Sequence, residues 1–191
     1  MAQPNLLEVD WSKIPAPTDD GGAAHLTGRA MPQVSLLATD DTTVDLSTLK
    51  GRTVVFGYPR TGEPGKIALV DDWDMIPGAR GCTPQTCAFR DLFAELKGAG
   101  AAQVFGLSTQ SNAYQTEMAS RLHLPFPVLS DEQLALTHAL DLPTMEVAGL
   151  TLIKRLALIV DDARITHVFY PVFPPDRNAG DVLAWLKDNP A

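Results

Sequence analysis

Residues 52–58 read RTVVFGY, an apolar and β-branched run that Pro59 ends. Side chains of this kind favour a strand, and a run without polar alternation is typical of a strand buried on both faces. Residues 103–108, QVFGLS, repeat the pattern. The two runs therefore predict neighbouring central strands of one sheet.

Working outward from these runs, helical and strand patterns alternate along the chain. Alternation of this kind builds a parallel sheet core, and a late hairpin adds an antiparallel strand. The order predicts an α/β protein with a thioredoxin-like fold, in which helices flank a central mixed β-sheet that carries an N-terminal β extension. The other predicted elements are short strands near Val34–Leu36 and Val44–Leu46, helices over 84–96, 112–123, 131–141 and 178–188, and strands over 127–129, 155–160 and 164–170.

Two segments lack either pattern. Residues 1–27 are rich in Pro and in Asp-Gly steps, which break helices and strands alike, so we interpret them as an N-terminal arm lying over a single domain at residues 28–191. Residues 60–81 form a Gly- and Pro-rich loop. A loop of this length is uncommon inside a compact domain and is often functional.

Composition narrows the function classes. The chain has 191 residues, 45% of them apolar, and a formal net charge of −8 without a basic block, which argues against nucleic acid as a partner. No apolar run is long enough to cross a bilayer, and the first residues lack the pattern of a secretory signal, so we expect a cytoplasmic protein. Two cysteines and four scattered histidines predict no metal site, and we expect no bound cofactor.

The two cysteines lie where the long loop becomes a helix. Cys82 precedes Pro84, a residue suited to a first helical turn, and the unpaired N–H groups at a helix start favour a thiolate, the reactive form of cysteine. Arg80 would add positive potential, and Gln85 is placed to reach back to the helix cap. Cys82 is therefore the candidate reactive thiol.

The spacing of Cys82 and Cys87 constrains any bond between them. Positions i and i+5 of an ideal helix are about 8.7 Å apart between Cα atoms, whereas a disulfide needs about 4.4–6.8 Å. A disulfide would thus require the first turns of the helix to unwind. A structural staple is disfavoured by the low cysteine count, but a buried structural thiol stays open as an alternative, more so for Cys87 than for Cys82.

Several motifs together resemble the peroxiredoxins, in particular the Q-type group also called bacterioferritin-comigratory proteins. They comprise a Gly-Cys-Thr-x-x-x-Cys-x-Phe-Arg-Asp segment, a Pro-x-Val-x-Leu-x-x-x-Asp segment, a Leu-Ser-x-Leu-x-Gly segment, and an Arg six residues before the Asp of a late hairpin turn. The resemblance covers about residues 30–188. The matching residues are Gly81, Cys82, Thr83, Cys87, Phe89, Arg90 and Asp91; Pro32, Val34, Leu36 and Asp40; Leu46, Ser47, Leu49 and Gly51; and Arg155 with Asp161.

The resemblance implies a thiol peroxidase acting on hydrogen peroxide and organic hydroperoxides. Cys82 would attack the O–O bond and become a sulfenic acid, and Cys87 would then form an intramolecular disulfide that thioredoxin or a similar dithiol reduces. Arg155 would bind the peroxide and stabilise the thiolate. The family implies no metal or cofactor, and we expect a monomer or a homodimer.

The chain departs from the family at the Pro-x-x-x-Thr/Ser-x-x-Cys motif. The strict spacing before Cys82 fails, but residues 58–62 (YPRTG) look like the start of the motif, followed by an insertion of roughly fifteen residues against the family's short loop. We expect Thr61 to bring its hydroxyl to the peroxide if the insertion loops out, with Thr83 as a second candidate. Pro59 or Pro77 would supply the ring that shields the sulfur.

Two other functions stay open at this level. A thiol-disulfide oxidoreductase of the same fold is one, although that class normally uses Cys-x-x-Cys, with two fewer residues between its thiols. A non-enzymatic redox sensor, in which oxidation of Cys82 only alters a partner surface, is the other. Turnover of peroxide would separate the three.

Overall fold

A computed structural model describes residues 9–190 of the chain. Nine strands and five α-helices are defined there. The strands are β1 (Ser35–Ala38), β2 (Thr43–Asp45), β3 (Arg52–Gly57), β4 (Gln103–Ser108), β5 (Val128–Ser130), β6 (Thr144–Val147), β7 (Leu150–Ile153), β8 (Leu156–Asp161) and β9 (Arg164–Phe169). The helices are α1 (Cys82–Asp91), α2 (Phe93–Gly98), α3 (Asn112–Arg121), α4 (Ala135–Leu140) and α5 (Asn178–Asp188).

Seven of the strands form one mixed sheet in the order β2-β1-β5-β4-β3-β8-β9. The pairs β3–β4 and β4–β5 are parallel, and all the other pairs in the sheet are antiparallel. The predicted central strands thus lie side by side, and all six residues of β3 are buried. The N-terminal β1–β2 hairpin extends one edge, as the sequence predicted.

The pleat of β3 divides the core into two apolar clusters. Val54 and Phe56 pack with residues of α1, α3 and α5, whereas Val55 packs in a second cluster with residues of α4. Successive residues of a strand point to opposite faces of the sheet, so a continuous apolar run fills both clusters. Helices on both faces explain why the predicted strand shows no polar alternation.

Several predicted elements differ from the structure. The single helix predicted over 84–96 begins at Cys82 and is broken at Leu92 into α1 and α2, and the helix predicted over 131–141 is the shorter α4. The strand predicted from residue 155 begins one residue later. The β6–β7 hairpin was not predicted at all; its two-residue turn is Ala148-Gly149, both with positive φ (49° and 76°), which few residues other than glycine adopt at low cost.

Residues 9–27 of the expected arm contact the domain through both polar and apolar groups; residues 1–8 lie outside the described part of the chain. Trp11 donates from Nε1 to Asp176 (2.9 Å), and Asp20 accepts from the Tyr170 hydroxyl (2.7 Å). Leu26 is fully buried in the second apolar cluster. Within residues 9–190, no helix has both the length and the apolar character that crossing a membrane requires.

Candidate active site

Cys82 is the first residue of α1, so the predicted loop-to-helix junction is confirmed. The residue before it, Gly81, has a left-handed backbone (φ 106°) that suits glycine. A Cβ at Gly81 would lie 2.6 Å from atoms of both Pro175 and Trp11, which is closer than packed atoms approach. Only glycine therefore lets the loop enter α1 between these two side chains.

The Cys82 sulfur has a partner for each of its protonation states. Arg155, which is 2% exposed, places Nη2 3.2 Å from Sγ, where the guanidinium can donate to a thiolate. The Ala79 carbonyl oxygen lies 3.5 Å from Sγ and accepts from the thiol form. The pairing of Cys82 with Arg155 that the family resemblance implied is thus present in the geometry.

Arg155 is itself held by the end of the insertion and by α1. Its Nη2 lies 3.1–3.2 Å from the carbonyl oxygens of Gly78, Ala79 and Arg80, which share its two N–H groups with the sulfur, and its Nη1 donates to Oε1 of Gln85. Hydrogen bonds to several neutral acceptors fix the orientation of a buried guanidinium without neutralising it. The positive charge is therefore kept for the sulfur.

Two residues near Cys82 act differently from their sequence-based predictions. Gln85 does not reach back to the helix cap; it donates from Nε2 to Asn178 (2.9 Å) and accepts from Arg155, and so ties α1 and α5 to the guanidinium. Arg80 forms an ion pair with Asp74 (3.0 Å), which offsets part of the positive potential that it was expected to add.

A cavity of about 380 Å³ opens beside Cys82. Thr61, Thr83 and Trp73 also line it, so the insertion over 62–80 loops out and leaves Thr61 and Cys82 facing one space. Trp73, which lies within the insertion, lines the cavity and also packs with Val147 in a small apolar cluster.

The prolines near the reactive segment occupy different places in the structure. Pro84, in the first turn of α1, lines the cavity that holds Cys82, whereas Pro59 and Pro77 are not among the lining residues. Pro59 accepts a hydrogen bond from the Ser108 hydroxyl through its carbonyl (3.2 Å). Pro77 lines a separate cavity of about 130 Å³ that Arg155 also borders.

Thr61 is 1% exposed and is held by a residue that sequence reasoning missed, Gln110. The Thr61 hydroxyl and backbone N–H both lie within hydrogen-bond distance of Gln110 Oε1, at 3.1 and 2.9 Å. The available signal was position: Gln110 follows β4 by two residues, at the carboxyl end of a parallel strand, where α/β sheets place their sites. A lone glutamine in a loop carries no motif, so that signal is weak.

Cys87 lies one and a half turns further along α1 in the first apolar cluster, 6% exposed. Burial raises the pKa of the Cys87 thiol, and the cations Arg90 and Arg121 only partly oppose that shift. Both cysteines are free thiols, with α1 intact from Cys82 onward. The structure is thus that of the reduced chain.

Tyr58 connects the end of β3 to the same region. Burial, with an added contribution from the charge of Cys82, raises the pKa of Tyr58 well above its usual range, so its hydroxyl stays protonated. That hydroxyl donates to Oε1 of Gln115 (2.9 Å) in α3. Tyr58 and Cys82 thus share one buried cluster, with the tyrosine hydroxyl in its neutral form.

Comparisons with known sequences agree on the family. The sequence profile of the Redoxin family matches residues 26–183. The chloroplastic peroxiredoxin Q of Oryza sativa subsp. japonica is 32% identical over 162 residues, which cover 84% of this chain and 66% of the rice protein, so the chain spans just under two thirds of that relative. Peroxiredoxin Bcp of Escherichia coli strain K12 is 31% identical over 167 residues, covering 85% of this chain and 96% of the relative.

Solved structures agree on the fold. Peroxidoxin BcpB from Mycobacterium tuberculosis has a TM-score of 0.68 and 26% identity, covering 86% of this chain and 98% of that one. A peroxiredoxin Q structure from Xanthomonas campestris has a TM-score of 0.67 at 23% identity, covering 86% and 97%. These likenesses confirm the predicted thioredoxin-like architecture. The chain belongs to the Redoxin family and is a peroxiredoxin of the Q and Bcp group.

Proposed function

We propose that this peroxiredoxin reduces hydrogen peroxide and organic hydroperoxides with Cys82 as the attacking thiolate. The observation that carries the proposal is the contact between Cys82 Sγ and Arg155 Nη2 (3.2 Å) at the wall of a cavity that Thr61 also lines. A buried cation beside sulfur favours the thiolate, and the hydroxyl offers a second polar group to the peroxide. No metal or cofactor is required by this arrangement.

In the first step the thiolate attacks the terminal oxygen of the hydroperoxide. The S–O bond forms as the O–O bond breaks, and the leaving alkoxide or hydroxide takes up a proton to give alcohol or water. Arg155 donates to the oxygens as charge moves from sulfur to the leaving group. Cys82 is left as a sulfenic acid.

In the second step Cys87 attacks the sulfur of the sulfenic acid and releases water, which leaves an intramolecular disulfide. The intact α1 holds Cys87 in the apolar cluster, so the first turns of the helix must unwind before the sulfurs meet. A dithiol protein such as thioredoxin would then restore both thiols by exchange.

The proposal is tested by peroxide consumption with thioredoxin, thioredoxin reductase and NADPH. We expect Cys82→Ser to lose turnover completely, and Cys87→Ser to reduce one equivalent of peroxide normally but recycle slowly. Full activity in Cys82→Ser would refute the proposal. A reaction that stops after one equivalent in the unaltered protein, with every dithiol tried, would favour the redox sensor, and disulfide exchange without peroxide consumption would favour the oxidoreductase.

Hydrogen exchange tests the unwinding step. We expect amides of residues 82–92 to exchange slowly in the reduced protein and faster in the disulfide form, because α1 cannot stay intact when the sulfurs are bonded. Equal protection in both forms would refute local unwinding. The cytoplasmic location stays a prediction that cell fractionation would check.

A further inference from the structure

The side-chain amide of Gln110 makes three hydrogen bonds with Thr61. Its Oε1 accepts from the Thr61 backbone N–H (2.9 Å) and lies 3.1 Å from the Thr61 hydroxyl, and its Nε2 donates to the Thr61 carbonyl oxygen (3.3 Å). Gln110 is 3% exposed, and its own carbonyl oxygen accepts from Gln115 Nε2 (3.2 Å) and from the Ser130 hydroxyl (2.8 Å). The amide side chain is thus fixed from both ends.

The backbone of Thr61 decides which way the amide of Gln110 faces. An N–H group can only donate and a carbonyl oxygen can only accept, so the amide oxygen must face the Thr61 N–H and the NH₂ group must face the Thr61 carbonyl. A flipped amide would set two donors against each other on one side and two acceptors on the other. The assignment of Oε1 therefore follows from the chain itself.

This orientation also fixes the hydroxyl of Thr61. A hydroxyl has one proton, and Oε1 of Gln110 can only accept. The Thr61 hydroxyl therefore donates its hydrogen bond to Gln110. What Thr61 can present to a ligand in the cavity beside Cys82 is its lone pairs. The hydroxyl is thus an acceptor towards any substrate.

We propose that Gln110 is a positioning residue, which makes Thr61 accept a hydrogen bond from the O–H of a neutral hydroperoxide and so turns the terminal oxygen towards Cys82. The inference rests on the proposed function. The terminal oxygen is the atom that forms the S–O bond, and the O–R or O–H group on the other side of the O–O bond leaves. A hydroxyl free to rotate would instead also donate to either peroxide oxygen and hold competing poses.

A double-mutant cycle tests the proposal, read as the second-order rate of the first peroxide turnover. Gln110→Met removes the amide with little change of side-chain length. In the otherwise unaltered protein we expect this change to lower the rate by about tenfold to hundredfold, the size of effect that misplacement of a reacting group causes. In a Thr61→Val background, where no hydroxyl remains to orient, we expect less than about a twofold further loss, because the two changes act through one group.

Equal losses from Gln110→Met in both backgrounds would overturn the proposal, because Gln110 would then act on the fold rather than on the hydroxyl. A near-normal rate in Gln110→Met would overturn it as well. Gln103→Met is the matched control: Gln103 starts β4, at the opposite end of the strand from the cavity, and we expect the first turnover to be unchanged. Far-ultraviolet circular dichroism and the thermal midpoint would confirm that each variant is folded.

Failure of this inference is distinguishable from failure of the proposed function. If Gln110→Met behaves as in either overturning case while Cys82→Ser is inactive, Cys82 keeps its role and only the positioning by Gln110 is refuted. If Cys82→Ser reduces peroxide at the normal rate, the proposed function itself fails. The two experiments use the same first-turnover assay.

Discussion

The two cysteines of α1 are five residues apart and almost equally buried, at 3% and 6% exposure, yet their surroundings differ in kind. Cys82 contacts a guanidinium and a carbonyl oxygen, and it lines a cavity together with Thr61 and Thr83. Cys87 meets aromatic and aliphatic side chains, and burial raises the pKa of its thiol. Exposure therefore does not distinguish the two thiols, whereas the groups that contact each sulfur do.

If the proposed function holds, the difference assigns the two cysteines to different steps of the cycle. The first turn of α1 places a sulfur beside the Arg155 guanidinium, and the second turn holds Cys87 in the apolar cluster, where burial raises the pKa of its thiol. In the proposed second step, attack by Cys87 needs an unwound helix. Unwinding also lowers the raised pKa of Cys87, because it moves the thiol from the apolar cluster into water. Under the proposed function, the reduced structure is therefore arranged for the first step, and the second step requires local opening of α1.

Removing the Arg155 cation should remove the difference between the surroundings of Cys82 and Cys87. We expect this change to have the largest effect on the first-turnover rate. Arg155→Met keeps an apolar side chain in place but removes the guanidinium that lies 3.2 Å from the sulfur. We expect the first-turnover rate to fall by about 10²–10³, as for loss of a preorganised donor to developing charge. Stopped-flow measurement of peroxide loss would show it.

Arg52→Met is the control for loss of a buried arginine. Arg52 is 8% exposed and pairs with Asp161 (2.7 Å) at the far end of β3, so its loss should lower stability and leave the rate of the folded protein unchanged. If both variants lose rate to the same degree, the special role of Arg155 is refuted.

The start of α1 at Cys82 was easier to predict than the residues around it, because the signals for a helix start lie in consecutive residues. A glycine, a cysteine and a proline in the first turn describe a helix start in a few consecutive residues, and Cys82 is indeed the first residue of α1. Arg155 came from its distance to the hairpin turn at Asp161, a family pattern. Such features depend on short stretches of sequence, and the structure places Cys82 at the helix start and Arg155 beside it.

What the sequence missed depends on contacts across the fold. Gln110 acquires its role only because the ends of β3 and β4 bring it to Thr61, 49 residues away in sequence. Gln85 could reach the helix cap by local geometry, but a buried guanidinium offers a charged partner, and hydrogen bonds to charged groups are stronger than neutral ones. The β6–β7 hairpin was hidden because its Ala148-Gly149 turn lacks the usual Asn or Asp.

Two threonines line the cavity beside Cys82, and substituting each tests which hydroxyl belongs to the reactive end. We expect Thr61→Val to lower the first-turnover rate by about a hundredfold, since a buried and oriented hydrogen-bonding group is lost from the substrate site. Thr83→Val, a change of the same size on the same cavity, should cost less than about threefold. The reverse ranking would move the role to Thr83, the second candidate from the sequence.

A substitution at Gly81, the residue before Cys82, tests whether the start of α1 is rigid or can adapt. Gly81→Ala places a methyl group 2.6 Å from atoms of Trp11 and Pro175 and forces alanine into a left-handed backbone. We expect the free energy of unfolding in urea to fall by about 1–3 kcal/mol, from strained backbone alone or together with the clash. Hydrogen exchange at the start of α1 should rise with it.

Gly180→Ala gives the matched control in α5. No atom lies within 4 Å of a Cβ placed there, so the change should be neutral or stabilise the helix by up to about 1 kcal/mol. A Gly81→Ala protein as stable as the unaltered one would mean that the arm residue Trp11 and Pro175 yield easily, and that the first turn of α1 is loosely held.

The pH dependence of stability should show that Cys87 is neutral in the folded chain. We expect this change in the free energy of unfolding to be the smallest effect. Because burial raises the pKa of Cys87 in the folded chain, the unfolded chain loses this proton first as pH rises. Unfolding then releases a proton, so stability must fall between the unfolded pKa of cysteine, about 8.5, and the higher folded value. One proton limits the slope to about 1.4 kcal/mol per pH unit.

The contribution of Cys87 is the difference in slope between the reduced protein and Cys87→Ser. Both slopes are measured by urea unfolding from pH 7 to 10, and Tyr58 titrates equally in both proteins. Parallel curves would show that Cys87 is no harder to ionise in the fold than in water, and the contrast with Cys82 would then rest on the cation beside Cys82 alone.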